Sequence, residues 1–444
     1  MDPLSQSPIW NVQRAFYEAR ASEAFAEIPH QAVDNPWVAA AYARVIVGFL
    51  RDSDLDPSQP VYIVELGAGA GRFAHGLARE LGERSTQEFV YVMTDFAESQ
   101  LEDWEKSPAL EDERFDFARF DLTQDRAPAL RRRGTTLANL ANPLVVIANY
   151  VFDSVPADAF AVKDGALEEC LVDVLDDLTL MYARRPVAPD HYGDPDLDAL
   201  LEHYRTALDD TVFTLPGAAL QTLRNFKALS NDRLLVLAAD KALSTEEALG
   251  YREEPQPAKH GGAFSLMVNF HALGHYARSH GGEMFHGGDR HASIDVGAIV
   301  FGPHAETRAA YDDAIDRFGP GDLAILAEAV EQAADQLSVE AIVALLRLSG
   351  WDASTLHNVL APLLEQAAAA DPATQEDLRY ALFETYDRHF PVPGDADLPF
   401  AIGLLLYELQ DYEDAIEFFE ASLEQHGHDP ATEKNIELCE AELD

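Results

Sequence analysis

Val61-Tyr-Ile-Val-Glu65-Leu-Gly67-Ala-Gly69-Ala-Gly71-Arg-Phe-Ala74 carries an apolar run straight into three alternating glycines. The run suits a buried strand, and the glycines let backbone approach a ligand with no Cβ in the way. Two registers fit. Gly69, Gly71 and Ala74 can be set into the dinucleotide fingerprint Gly-x-Gly-x-x-Gly/Ala. Its first glycine would then lie five positions past Val64, late for a strand ending near Leu66. The register Glu65-x-Gly67-x-Gly69-x-Gly71 instead puts an acid at the strand end, directly before the turn. A carboxylate there suits a cationic ligand edge better than a pyrophosphate.

Outward from this point, short apolar runs alternate with helical patterns. Phe89–Thr94, Phe115–Phe120, Leu144–Ala148 and Leu234–Ala239 read as strands; Phe73–Leu81 and Glu98–Lys106 read as helices. Met284–His286 and Ile294–Phe301 suggest a closing β-hairpin. This rhythm predicts an α/β fold with a Rossmann-like, doubly wound sheet. Residues 165–232 break it with acidic and helical segments and are expected to be a helical insertion. Residues 8–50 show apolar spacing of three and four, with Asp34-Asn35-Pro36 as a helix start. Arg131-Arg-Arg133 is read as a solvated helix end.

Beyond residue 305 no strand pattern survives. Residues 306–444 hold 31 acids and 6 bases, net −25, leaving −21 of the total −46 for the first 305 residues. The expected organisation is an N-terminal helical segment (1–60), an α/β domain (61–305, with the insertion at 165–232) and an all-helical domain (306–444).

The charge narrows function. A field of −46 repels nucleic acid and anionic membrane surfaces. Only six lysines are present, and such an acid-rich, lysine-poor balance suits a high-salt cytoplasm that screens self-repulsion. Cys170 and Cys439 form no metal or disulfide pattern. With no signal sequence and no membrane-length apolar run, a soluble cytoplasmic protein is expected. Oligomeric state is left open.

The Glu65–Gly71 register, Asp95 closing the second strand and Asp121-Leu122 closing the third together resemble class I S-adenosylmethionine (SAM) methyltransferases. The resemblance implies SAM as cofactor, with Glu65, Gly67, Ala68, Gly69, Gly71, Asp95, Phe96, Asp121, Leu122 and Asn149 around it. Asp95 would bond the ribose hydroxyls and Asp121 the adenine amine. The fourth strand end, Asn149-Tyr-Val-Phe-Asp153-Ser-Val-Pro156, is similar to MidA-type methyltransferases, whose mitochondrial members methylate a protein arginine during complex I assembly. Asn149, Asp153 and Pro156 match that family; Tyr150, Lys241 and Asn269 depart from it. The resemblance covers roughly residues 8–305.

By this resemblance Asp153 holds or deprotonates the methyl acceptor and Asn149 orients it through its carbonyl oxygen. Helix N-capping is the alternative role for Asp153. Tyr150 and Phe152 offer aromatic faces to a sulfonium. Near the C-terminus, Gly403, Tyr412, Ala415 and Phe419 fall at the spacing of a tetratricopeptide repeat, with 323–348 and 356–386 as degenerate partners. Such a domain would recruit a protein substrate or partner. A non-catalytic assembly factor and a small-molecule methyltransferase are the competing readings.

Histidines gather at His260, His271, His275, His280, His286 and His291. His271 and His275 have the i, i+4 spacing of metal ligands, but the glutamate of His-Glu-x-x-His is missing. They are read as surface or substrate-pocket residues, with no metal. Gly261-Gly262, Gly281-Gly282 and Gly287-Gly288 are read as loops near the pocket.

Overall fold

A computed structural model describes residues 1–20, 32–287, 294–392 and 394–444. His291 and Gly288 lie outside them, as does the 21–31 part of the expected N-terminal helix. The chain divides into two units, one of residues 1–34 and 41–321 and the other of 35–40 and 322–444.

The first unit is built on a seven-stranded sheet. Its strands are β1 (Val61–Leu66), β2 (Phe89–Asp95), β3 (Phe115–Arg119), β4 (Leu144–Asn149), β5 (Leu234–Asp240), β6 (Gly282–Phe285) and β7 (Asp295–Phe301). Their spatial order is 6-7-5-4-1-2-3. Strand β7 runs antiparallel to both its neighbours, and the other pairings are parallel. The chain winds outward from β1 in both directions, so a crevice opens where β1 and β4 part at their carboxyl ends. Strands β4 and β5 are buried along nearly their whole length, which is why they read as unbroken apolar runs.

The insertion differs from expectation. Residues 158–163, 166–174, 180–186 and 211–215 are strands of a second, antiparallel sheet, which a two-residue strand at Asp2–Pro3 joins. Only Pro195–Ala207 and Gly217–Leu229 are helices there. Of the strand acids that suggested helix, Asp173 is exposed and Glu168 half-exposed at 4.0 Å from Arg184, while Glu169 is buried against Arg185. The Arg131–Arg133 run is likewise no helix end. Arg131 pairs with Glu98 and Glu105, Arg132 lies 4.5 Å over the Phe117 ring, and Arg133 meets buried Asp116 at 3.1 Å.

The expected helix start at Asp34-Asn35-Pro36 is present. Asn35 Oδ1 accepts from the Val38 amide at 3.0 Å, and Pro36 opens the helix Pro36–Asp52. The domain boundary falls later than residue 305, because helix Ala305–Tyr311 packs within the first unit. There Asp52 accepts from the Thr307 amide at 2.8 Å, and the Tyr311 hydroxyl donates to the Val296 carbonyl at 2.5 Å.

The second unit is helical throughout its regular structure from Val339 to Leu443. Helices Leu398–Glu408 and Tyr412–His426 form its tightest pair. A Cβ on Gly403 would stand 2.7 Å from Phe419 Cε1, so the glycine is what lets the ring seat. Ala415 and Phe419 are fully buried at this contact. Among the described residues no helix is long and apolar enough to cross a membrane.

Candidate functional site

The crevice at the carboxyl ends of β1, β2 and β4 deepens into a cavity of about 480 Å³. Glu65, Gly67, Ala68, Gly69, Asp95, Phe96, Asp121, Leu122, Asn149 and Asp153 all line it. Gly71 lies just behind, at the start of helix Arg72–Arg84. Gly67, Gly69 and Gly71 take left-handed φ of +60°, +57° and +97°, where a side chain would be strained. The loop is clamped as well, because the Gly69 carbonyl accepts from Gln100 Nε2 and Trp104 Nε1, both at 2.8 Å.

Two acids on this wall have raised carboxyls. The Tyr91 hydroxyl donates to buried Glu65 Oε2 at 2.9 Å, yet burial pushes the Glu65 carboxyl up to about 8. Half-exposed Asp95 accepts from the Ala97 amide at 2.8 Å, and desolvation raises it to about 6 against the pull of the Arg14 charge. A ligand with an ammonium or hydroxyl donors would stabilise both in their ionised form.

Asp121 is the opposite case. Burial alone would raise it, but hydrogen bonds outweigh that and hold it below the usual carboxylate range. Oδ1 accepts from the Thr123 amide and hydroxyl; Oδ2 accepts from Gln124 Nε2 at 2.9 Å and Arg14 Nη1 at 2.7 Å. The expected adenine contact is therefore engaged by the chain's own side chains. Asn149 differs from expectation in the same way, since its Oδ1 accepts from the Tyr42 hydroxyl at 2.9 Å. That carbonyl is tied to the helix behind it.

Asp153 sits in a short turn, Phe152–Ser154, that leads into strand Asp158–Lys163. No helix follows, so it caps none. Ser154 Oγ donates to its Oδ1 at 2.8 Å, and its carboxyl is hydrogen-bonded to that of Asp240 at the end of β5. Burial and then the Asp153 charge drive Asp240 far above the ordinary range, although the Phe152 and Asp153 amides donate to its carboxyl, so the two acids titrate together as a pair that readily holds one proton. Burial raises Asp153 too, while Ser154 and the Lys241 ammonium restrain it.

Tyr150, a departure from the MidA-type pattern, lines the cavity at φ +55°, held by its amide donating to the Ala239 carbonyl at 2.8 Å. Phe152 is a core residue and does not reach the cavity among the described contacts.

Sequence reading missed one wall. Trp10, Gln13, Arg14 and Tyr17 line the cavity from helix Ile9–Arg20. Gln13 exchanges both its amide bonds with the Phe264 backbone, at 2.8 and 2.9 Å, which fixes that helix against the strand Ala263–Ser265. Arg14 lies 4.5 Å over the Phe96 ring. The signal was available, because these four residues share one helix face. Lys241, His260 and Asp34 also line the cavity. His260 is the one histidine among the described residues to do so; His271, His275 and His280 pack elsewhere.

The family model described as "Putative S-adenosyl-L-methionine-dependent methyltransferase" matches residues 42–248. Two solved Burkholderia thailandensis structures of one superfamily are similar to this chain. The one bound to S-adenosyl-homocysteine is 16% identical, with TM-score 0.48, covering 69% of this chain and 90% of that one. The other is 17% identical, with TM-score 0.43, covering 64% and 72%. An O-methyltransferase family protein from the same organism is 10% identical, with TM-score 0.30, covering 68% and 65%. None of the curated proteins matches the sequence. The family description gives SAM as the cofactor and methyl transfer as the chemistry. Every cofactor residue expected from sequence, Glu65 to Asn149, lies inside the matched stretch.

Proposed function

We propose that this chain transfers a methyl group from SAM to a protein side chain, with an arginine as the expected acceptor. The observation that carries the reading is the convergence of Glu65, the left-handed glycines, Asp95 and Asp153 on one cavity. These residues fit SAM: Glu65 and Asp95 carry raised carboxyls that donors on the ligand would stabilise, and the loop presents backbone with no Cβ. When bound, SAM supplies a sulfonium methyl for in-line displacement.

The chain's own part is alignment and proton handling. Asp153 faces the cavity and is the group to hold an acceptor N–H or take its proton. Asp240, fully buried, shares a proton with Asp153, so the pair presents one negative charge beside the cavity. An arginine guanidinium would meet that carboxylate, and the faces of Tyr17 and Tyr150 line the same space.

The helical second unit is proposed to recruit the substrate protein. Its support is the Gly403–Phe419 helix contact, which resembles a tetratricopeptide repeat, and the net charge of −23 over residues 322–444 (27 acids, 4 bases), which favours a basic partner segment.

Calorimetry with S-adenosyl-homocysteine tests the first step, in dilute buffer and in molar salt, with Asp95→Ala and Gly69→Val as controls. Binding that both variants lose supports the site. Absence of binding in both salt regimes sinks the reading. Transfer of labelled methyl groups to lysate proteins, lost in Asp153→Asn, tests the second.

A further inference from the structure

Away from the glycine-loop cavity, three imidazoles and a carboxylate converge from three chain segments. His203 lies in helix Pro195–Ala207 of the insertion, Glu246 in the segment after β5, and His271 in the first turn of helix Phe270–Ser279. One ligand atom from each of His203, Glu246 and His271 lies within 4.8 Å of the others. His203 Nε2 and Glu246 Oε2 are 2.9 Å apart. The His203 and His271 rings stack with centroids 6.0 Å apart, and the His275 ring, one helical turn on, is 4.7 Å from His203.

His271 is oriented as metal-ligating histidines usually are. Its Nδ1 meets the Tyr204 hydroxyl at 2.9 Å, and Tyr204 is held in turn by Asn269, whose Nδ2 lies 3.2 Å from that hydroxyl. Nε2 is thus the ring nitrogen left for a ligand, with a second shell already in place. Asn269 is anchored independently, donating to the Thr214 carbonyl at 2.9 Å and accepting from the Ala272 amide at 2.9 Å.

We propose that His203, Glu246 and His271 form a binding site for a zinc-class transition-metal dication, with His275 the next imidazole in reach of a fourth position. Two imidazoles and one carboxylate suit zinc or cobalt, whereas calcium and magnesium prefer all-oxygen shells. Tetrahedral zinc holds such atoms at about 2.0–2.2 Å, so ligand atoms stand about 3.3–3.5 Å apart. Closing from 4.8 Å falls to His203 and Glu246, whose side chains are 34% and 39% exposed and free to adjust. The ligands share no residue with the glycine-loop cavity, so the ion would act as a cross-link between the insertion and the main sheet's flanking helix.

Cobalt titration of the full chain after chelator treatment tests this, in molar sodium chloride so that the acidic surface does not gather cations indiscriminately. One Co²⁺ per chain is expected, with the visible d–d bands of a tetrahedral nitrogen–oxygen site that Zn²⁺ abolishes. His203→Ala and His271→Ala should each weaken uptake at least tenfold, and Tyr204→Phe about tenfold or more through the second shell. His304→Ala, which touches Glu283 instead, should leave it unchanged. Circular dichroism confirms that each variant folds, and the half-exposed His203 site makes its variant the safest. Absence of tetrahedral bands in the native chain overturns the proposal. So does uptake in His203→Ala and His271→Ala as strong as in the native chain, which would mark surface carboxylates as the binders.

Discussion

Arg14 donates from Nη1 to Oδ2 of Asp121 at 2.7 Å, joining the N-terminal helix to the acid at the end of the third strand. This contact occupies the atom expected to receive an adenine amine. Replacing Arg14 by alanine should free Asp121, which keeps its Thr123 and Gln124 bonds. Affinity for S-adenosyl-homocysteine is expected to rise about three- to tenfold, as for one partly exposed charge-assisted bond. Calorimetry reads it; unchanged affinity would mean that adenine and Arg14 do not compete.

Glu65 and Asp95 give the cavity a pH dependence. Glu65 is raised from 4.5 to about 8 and Asp95 from 3.8 to about 6, so the folded chain binds more protons than the unfolded chain between those values. Their contribution to stability is present below the ordinary carboxylate range and is lost as pH rises through about 6 and then about 8. Ligand binding runs the other way, since hydroxyl and ammonium donors favour ionised acids. Affinity for S-adenosyl-homocysteine should climb several-fold from about pH 6 to about 8. Glu65→Gln, which mimics the protonated form, should flatten the upper part of that profile.

The Asp153–Asp240 pair predicts unequal outcomes for like substitutions. Asp153→Asn removes the carboxylate that faces the cavity and should cut methyl transfer by about 10²–10⁴-fold while leaving cofactor binding intact. Asp240→Asn leaves the Asp153 carboxylate at the cavity and puts a neutral side chain of the same shape behind it, and should cost less than about tenfold. Steady-state rates of the two variants settle the order; equal losses would remove Asp153 from its assigned role.

Gly403 and Phe419 set the packing of the helical unit. Valine at Gly403 would drive a side chain into a ring 2.7 Å from its Cβ, and overpacking of this kind costs about 1–3 kcal/mol. Thermal unfolding should show a lowered midpoint for Gly403→Val. The lost stability should be largely restored when Phe419→Leu is added, because the smaller side chain opens the space.

The strand runs Val61–Leu66, Leu144–Asn149 and Leu234–Asp240 were legible because strands buried on both faces must be apolar throughout. Gly67, Gly69 and Gly71 were legible because only glycine takes their left-handed backbone cheaply. The second sheet was not. Strands 166–174 and 180–186 are half-exposed and mix charged with apolar residues, and the buried 158–163 and 211–215 are short, so in a strongly acidic chain no clean alternation marks the sheet. Lys241 was noticed only as a departure, and Tyr150 as a departure with an aromatic face for the sulfonium; their place in the cavity came from the ends of β5 and β4 lying side by side.

Sequence by itself determined the doubly wound sheet, the glycine turn and the acids at its strand ends, because each follows from residues a few positions apart and from burial periodicity. Tertiary structure decided which groups meet across long stretches of chain. Arg14 reaches Asp121, Tyr42 takes the Asn149 carbonyl, Asp153 shares a proton with Asp240, and His203 faces His271 and Glu246. A contact between distant segments leaves no periodic trace in either one, and a carboxyl's protonation depends on the burial and charges that only the folded chain brings around it.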